Sequence, residues 1–368
     1  MQNIRSILLS GLFLLLLEGS LIIKPPIVLC EDQPRQLIFC NFPLPKTLNL
    51  CGEPIPLENL TVREMLDREF TLTVWEPRQV MMWLKRAGRY FPFIEKRLHE
   101  EGMPDDLKYL SVAESSLLID IRSSAGALGP WQFMSRTAYS KGLRKDRDMD
   151  ERLDFERSTD AALHYLKELK EQFGTWTLAL AAYNCGEARL EKEIKEQRVN
   201  DYYRLNLPKE TERFIFRIAT VKIILQDPKL YGYSLEGDHV YKPIQTDTVS
   251  VTISMPIHIT ELAEAIGTDF KVIKELNPQI IGYYLPRGKY TLKVPVGSGA
   301  KAAKVLNHIG RKKSLVTKEI SHEFYVVKQG DTLSRIAGQT GVPVETLKRL
   351  NGLKGSHLLV GQKLRLMP

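Results

Sequence analysis

Apolar positions at Val80, Leu84, Ala87, Phe91, Ile94 and Leu98, set among charged residues, recur at helical spacing and predict one amphipathic helix of several turns within 61–100. Gly102 and Pro104 stop it, and Asp105 or Asp106 is placed to cap the helix that follows. In that next helix Leu107, Leu110, Glu114, Leu117 and Leu118 share one stripe, so the pattern sets a carboxylate among apolar side chains. Ala162, Leu166, Leu169 and Phe173 mark a further helix, ended by Gly174; 176–183 continues as another, and 210–225 as a last one carrying Phe214, Ile218, Val221 and Leu225. This half of the chain is predicted to be helical almost throughout.

After Asp238 the composition shifts to Thr, Val and Ile, and a different architecture begins. Ile259, Leu262, Ala263, Gly267, Phe270, Ile273, Leu276 and Asn277 return, after one fixed offset, as Leu333, Ile336, Ala337, Gly341, Val344, Leu347, Leu350 and Asn351, an internal repeat. The second copy opens on Phe324 to Val327, turns at Gly330-Asp331-Thr332-Leu333 and closes on Val360 to Leu366, which implies strand, two short helices, strand. The first copy keeps the helical core and a closing strand, Tyr290 to Pro295, but lacks G-D-T-L. A structural role is expected for it rather than ligand binding. Between the copies, a stretch rich in Lys, Gly and Ser reads as a linker.

The N-terminus adds a location. Arg5, an apolar run from Ile7 to Leu17, Pro25-Pro26 and the polar Glu31-Asp32 have the layout of a secretory signal, with Val28 and Cys30 at the outer positions of a cleavage site. Glu18 and Lys24 interrupt the run, which disfavours a spanning helix. Cys30 raises the question of lipidation, against which stands Leu29, where lipoprotein signals carry a small residue. Cys40 and Cys51 bracket a Pro-containing loop and can close a small disulfide in an oxidising compartment, while Cys185 reads as a buried small side chain. The net charge of +8 comes from dispersed basic residues without a dense block, which disfavours a nucleic-acid partner and leaves an anionic membrane face or an anionic polymer. His99, His164 and His308 lack any metal-binding context, so no metal and no cofactor is expected.

Candidate chemistry centres on Glu114. A carboxyl with low-dielectric walls is pushed toward its neutral form, as a general acid near neutral pH requires. The competing reading is a structural Glu paired with Arg or Lys. Behind it, Ser123, Gly126, Gly129, Trp131, Gln132 and Met134 form a small-residue loop in which glycine lets a flat, hydroxyl-rich ligand approach the backbone. The pair Glu114-Ser115, the run S-x-x-G-A-x-G-x-W-Q-F-M from Ser123, and Ala182-Tyr183-Asn184-Cys185-Gly186 together resemble the soluble-lytic-transglycosylase type of lysozyme-like domain, over roughly Met103 to Leu225. The second repeat closely resembles the LysM carbohydrate-binding module, and the first reads as a degenerate one.

The resemblance implies a multidomain chain: a mainly α lysozyme-like catalytic domain followed by small α+β (βααβ) LysM-type modules. Its segments are a signal peptide or N-terminal anchor at 1–30, an N-terminal extension at 31–77, the lysozyme-like domain at 78–236, a degenerate LysM-like module at 237–297, a basic linker at 298–322 and a LysM module at 323–368. It further implies peptidoglycan glycan strands as partner, an exported, periplasmic location with membrane association through the N-terminus left open, and cleavage between N-acetylmuramic acid and N-acetylglucosamine. Glu114 is the implied acid; Ser115, Ser123, Gln132, Met134, Tyr183, Asn184 and Phe214 are the implied sugar contacts. Gly330, Asp331, Thr332, Leu333 and Asn351 are implied at the glycan trough of the LysM module.

Two departures stand out. Phe214 occupies the place where the family shows Tyr in E-T-x-x-Y, and Pro130 the place of a common Leu or Met. Most glycosidases use two carboxylates, whereas this motif offers one, with Asp120 the nearest second in sequence. The family's route needs one, acting as acid and then as base on the substrate's own 6-hydroxyl to leave a 1,6-anhydromuramoyl end. Goose-type hydrolysis, and a wall-binding protein with weakened catalysis, are the alternatives.

Overall fold

The structure is a computed structural model that describes residues 42–235, 237–307 and 324–366, the side chain of Asp238 excepted. The chain divides into two units, Met1–Asn41 and Phe42–Pro368, and every described element belongs to the second. The expected signal at 1–30, Cys40, His308 and most of the expected linker lie outside the described residues.

A short antiparallel pair, β1 (Asn49–Leu50) and β2 (Glu53–Pro54), leads into α1 (Leu60–Val74) and α2 (Pro77–Glu100). One helix was expected here, and the break lies at Pro77, which is well suited to the first turn of a helix but not to its interior. Asn59 caps α1 by accepting from the Thr61 and Val62 N–H groups. Leu50, Ile55, Val62, Leu66 and Phe70 are buried in the same core as Phe216 and Ile218, so the segment expected as an extension supplies part of the helical domain itself.

A 3-10 turn, Asp105–Leu107, opens α3 (Lys108–Ser115). Neither aspartate caps it, contrary to expectation: Asp105 pairs with Lys108 Nζ at 2.6 Å, and Asp106 Oδ2 accepts from Lys222 Nζ at 2.8 Å and from the Cys51 N–H at 2.7 Å. Asp106 thereby ties β1–β2 to the last long helix. Cys51 is a free, buried thiol whose pKa is pushed up by burial. Then follow α4 (Ser135–Ser140), α5 (Phe155–Phe173), α6 (Trp176–Cys185), α7 (Glu187–Gln197) and α8 (Lys209–Gln226). Asp154 and Thr175 cap α5 and α6 with side-chain oxygens, and Gly174 ends α5 in the left-handed region.

The first repeat is built on an eight-residue antiparallel pair, β3 (Thr246–Ile253) with β6 (Gly288–Pro295). Between them lie β4 (Ile257–His258), α9 (Ile259–Ile266), α10 (Phe270–Leu276) and β5 (Tyr284–Leu285), with β4 pairing β5. A helix α11 over 299–307 follows, and its Ala302 and Leu306 are buried in this module's core. The segment expected to be linker from 298 therefore begins as part of the module. The second repeat is β7 (Phe324–Val326), α12 (Leu333–Thr340), α13 (Val344–Asn351) and β8 (Lys363–Arg365), with β7 pairing β8 over its own core.

Candidate active site

Glu114 is the penultimate residue of α3. The expected stripe does not continue as helix, because Ser116 and Leu117 take φ of 55° and 59°, the left-handed region that ends the helix within one residue of the acid. Two arginines hold this end: Arg86 Nη1 donates to the Ser116 carbonyl at 3.1 Å and Arg217 Nη2 to the Ala113 carbonyl at 3.4 Å. The Glu114 side chain is half-buried, and among the described residues none donates a hydrogen bond to its carboxyl or forms an ion pair with it. A structural, salt-bridged Glu is thus not what the fold builds. Burial pushes its pKa up to about 8; the Arg217 charge pulls it down, and the Glu210 charge pushes it further up.

Glu210 is a carboxylate that the sequence pattern did not single out. Asp120, the nearest in sequence, is exposed, whereas Glu210 comes to Glu114 from the first turn of α8. Arg217, two turns further along α8, was missed as well. The available signal was the Glu210-Thr211 pair of the E-T-x-x-F stretch.

The loop after α3 is tied to it from beneath. Ser115 is buried, and its hydroxyl donates toward the carbonyls of Ser111 and Pro130, both at 2.9 Å. It is therefore a tie between helix and loop and not the sugar contact expected. Ser123 Oγ accepts from the Ala127 N–H at 3.0 Å and so closes the loop's turn. Gln132, at φ 47°, donates through Nε2 to the carbonyls of Gly129 at 2.8 Å and Ile121 at 3.2 Å, which leaves its Oε1 as the atom available to a ligand. Trp131 is wholly buried with its indole N–H on Thr159 Oγ1 at 2.9 Å, while Met134 stands 46% exposed at the rim.

On α6, Tyr183 donates its hydroxyl to the Trp131 carbonyl at 2.7 Å and packs against Tyr165 and Phe133, with centroids 5.4 and 6.1 Å away. Burial, then the neighbouring Glu114 charge, hold its hydroxyl well above the usual pKa, so it stays a donor. Asn184 Oδ1 accepts from Thr211 Oγ1 at 2.9 Å, joining α6 to α8. Phe214 is only 1% exposed, with the Arg217 guanidinium 5.9 Å above its ring. It lies beneath the site and does not face a ligand as expected. Glu114, Tyr183 and the 123–134 loop are thus brought together; Ser115 and Phe214 support them from below.

In the second repeat the expected trough residues are mostly framework. Asp331 Oδ2 accepts from Tyr325 OH and the Lys328 N–H, both at 2.8 Å; Thr332 Oγ1 caps α12; Leu333 is buried. Asn351 donates to the Leu347 and Arg365 carbonyls and accepts from the Arg365 N–H at 2.6 Å. These side chains shape the turn, leaving its backbone and the exposed Leu359 and Val360 at the surface.

Residues 91–206 match the transglycosylase SLT domain, 245–311 the LysM-like domain of the lytic transglycosylase MltD, and 325–366 the LysM domain. In that order the matches give the chain an SLT domain, which holds the helical site around Glu114, followed by two LysM-type modules. It is similar to membrane-bound lytic murein transglycosylase D of Escherichia coli strain K12, 31% identical over 290 residues that cover 76% of this chain and 63% of that relative. The chain thus spans less than two thirds of the relative's length. An autolysin of Enterococcus faecalis is 50% identical over 44 residues, covering 12% of this chain and 6% of that one. The solved 70 kDa soluble lytic transglycosylase of Escherichia coli overlaps 46% of this chain and 27% of its own at 20% identity and a TM-score of 0.29, too partial a likeness to add to the domain assignment.

Proposed function

We propose that the chain cleaves the β-1,4 bond between N-acetylmuramic acid and N-acetylglucosamine in peptidoglycan without water, with Glu114 as acid and then base. The observation that carries this reading is a half-buried, unpaired carboxyl whose pKa is raised to about 8, so that it holds its proton at neutral pH. The proton passes to the glycosidic oxygen as the bond from muramoyl C1 breaks. The N-acetyl group of the muramoyl sugar stabilises the cationic centre. The carboxylate then takes the proton of the 6-hydroxyl, whose oxygen closes on C1 to give the 1,6-anhydro ring. Arg217, whose charge favours the anion, supports the second half, and Tyr183 with the 123–134 loop forms the wall against which the sugar is set.

Hydrolysis is the competing chemistry, and Glu210 gives it a concrete form, since a second carboxylate near the acid is what a water-activating mechanism uses. Product mass separates the two, because a hydrolysed end is heavier by one water. The wall-associated setting belongs to the same proposal: an exported protein in the periplasm whose LysM module holds it on glycan strands. No helix among the described residues is long and apolar enough to cross a membrane. The test is glycan digestion by the wild type beside Glu114→Gln, with cleavage lost and wall retention kept in the variant.

A further inference from the structure

A hairpin strap, residues 144–152, joins the first LysM-like module to the loop beside Glu114. Its turn is set by Asp146, whose Oδ1 accepts from the Asp148 and Met149 N–H groups at 2.9 Å while its own N–H donates to the Met149 carbonyl at 2.8 Å. On the outer side the strap is fused to the module. Met149 is 2% exposed and sits in the module's core with Ile273, Ile280 and Leu285. The Asp150 N–H donates to the Gln279 carbonyl and the Ile281 N–H to the Asp148 carbonyl, both at 2.8 Å, which makes Met149 and Ile280 an antiparallel bridge. A Cβ on Gly282 would lie 2.7 Å from Asp148 Oδ1, so the approach is close.

On the inner side the strap reaches the loop. Arg152 donates to Asp150 through Nε at 2.9 Å and Nη2 at 2.7 Å, a fork-to-carboxylate pair with both side chains buried. Its remaining Nη1 donates to the Phe133 carbonyl at 3.0 Å and the Gly126 carbonyl at 3.2 Å. A Cβ on Gly129 would come within 2.0 Å of the Arg152 carbonyl oxygen, so the loop rests on the strap's backbone. Gly126, Gly129 and Gln132 all take positive φ, and Gln132 does so without the freedom of glycine, a conformation that must be held by its surroundings. The same loop ties back to α3 through the Ser115 hydroxyl on the Pro130 carbonyl.

We propose that the first LysM-like module is a brace of the catalytic unit, and that Arg152, seated by Asp150 and Met149, is a positioning residue that sets the 123–134 loop against Glu114. A buried ion pair by itself is weak evidence for stability. What this pair does is fix a planar fork whose last arm holds two loop carbonyls in place. The module has exchanged glycan contact for contact with its own enzyme. The proposal rests on the catalytic reading of Glu114, and its first readout does not need activity.

The experiment is hydrogen exchange and steady-state cleavage of soluble glycan strands, run on the full chain below its melting temperature, for Met149→Ser, Met149→Leu and Arg152→Lys. Met149→Ser is expected to speed exchange of the Leu128 and Gln132 amides about tenfold while α5 and α6 stay protected, and to lower kcat/KM about tenfold through misplacement of the sugar. The alkaline limb of the pH profile, which reports Glu114, should stay where it is. Met149→Leu should restore both values, and Arg152→Lys should reproduce the loss, because lysine cannot pair with Asp150 and hold both carbonyls. Should Arg152→Lys fail to fold, the two Met149 variants decide. Loosening spread evenly over the domain, no loosening of the loop, or a loosened loop with unchanged kcat/KM would overturn the proposal. If the chain proves to cleave nothing, the exchange pattern still tests the brace on its own.

Discussion

Both LysM-type modules close on the same asparagine clamp. Asn277 at the end of α10 donates to the Ile273 and Lys293 carbonyls and accepts from the Lys293 N–H at 2.9 Å; Asn351 at the end of α13 does the same with Leu347 and Arg365. The frames are alike and the surroundings are not. In the first module Met149 of the helical domain completes the core, and Tyr290 and Lys293 of β6 reach Arg144 and Glu156 at 3.0 and 2.5 Å. The second closes its core with its own residues and turns through Gly330 at φ 83°, braced by Asp331. His258 caps α9 where Thr332 caps α12. A repeat can thus keep its fold while the copy without the G-D-T-L turn packs against the helical domain and the copy with it closes on itself.

The largest effect is expected from a change that touches neither module and so sets the baseline for both. Glu114→Gln keeps the shape of the side chain without a proton to give, and cleavage should fall by about 10²–10⁴-fold, the share attributed to a positioned acid. Retention on insoluble wall should stay at the wild-type level. In the wild type, activity should persist through neutral pH and fall as pH rises through about 8, because the first step needs the protonated carboxyl. The sign for stability is the same: with its folded pKa raised, Glu114 favours the folded state most below the ordinary carboxylate range, and that contribution is lost as pH rises through about 8. Residual cleavage near the wild-type rate would remove Glu114 from the mechanism.

Deleting 323–368 should come next in size. Retention on insoluble wall is expected to drop about tenfold or more, since a tether raises the local concentration of the domain it carries. Cleavage of short soluble strands should be nearly unchanged. If the deletion instead lowered the melting temperature of the helical domain and reduced both activities equally, the second module would be a brace like the first, and the contrast between them would fall.

The paired variants Asn277→Ala and Asn351→Ala probe the contrast with matched chemistry. Each removes one clamp, at a cost of about 1–3 kcal/mol for the backbone groups left unsatisfied. Asn277→Ala should shift the main calorimetric transition and loosen the 123–134 loop. Asn351→Ala should leave that transition alone and reduce wall retention only. Equal shifts of the main transition in both variants would count against a division of labour.

The smallest effect is expected at Phe214. Its ring is buried under Arg217, so Phe214→Tyr introduces a hydroxyl into a desolvated position at a cost of about 1–3 kcal/mol if it finds no partner. A lower melting temperature with turnover within about twofold is the expected result, given that catalysis rests on electrostatics already in place. A clear gain in rate would show that the hydroxyl does work in this site.

Much of this arrangement is legible in the chain. The 3.6-residue pattern places Glu114 among apolar positions, and the internal repeat alone marks out two modules. What escapes does so for physical reasons. Glu210 and Arg217 act on Glu114 from α8, a distance in sequence that no local pattern spans. Ser115, Thr332 and Asn351 look like ligand contacts because residue type does not tell whether a polar side chain turns outward or ties its own backbone. The Lys-rich stretch after Gly297 reads as linker by composition, yet Ala302 and Leu306 find an apolar core and make it helix. Pro77, by contrast, is a readable signal for the break between α1 and α2.

In the proposed mechanism one carboxyl does the work of two, and the masses of the products test that most directly. Purified peptidoglycan digested by the wild type should yield muramoyl ends lighter by one water than hydrolysed ends, the 1,6-anhydro form, and Glu114→Gln under the same conditions should yield about a hundredfold fewer at the least. Hydrolysed ends from the wild type, lost on Glu210→Gln, would assign water activation to Glu210 and contradict the anhydro route.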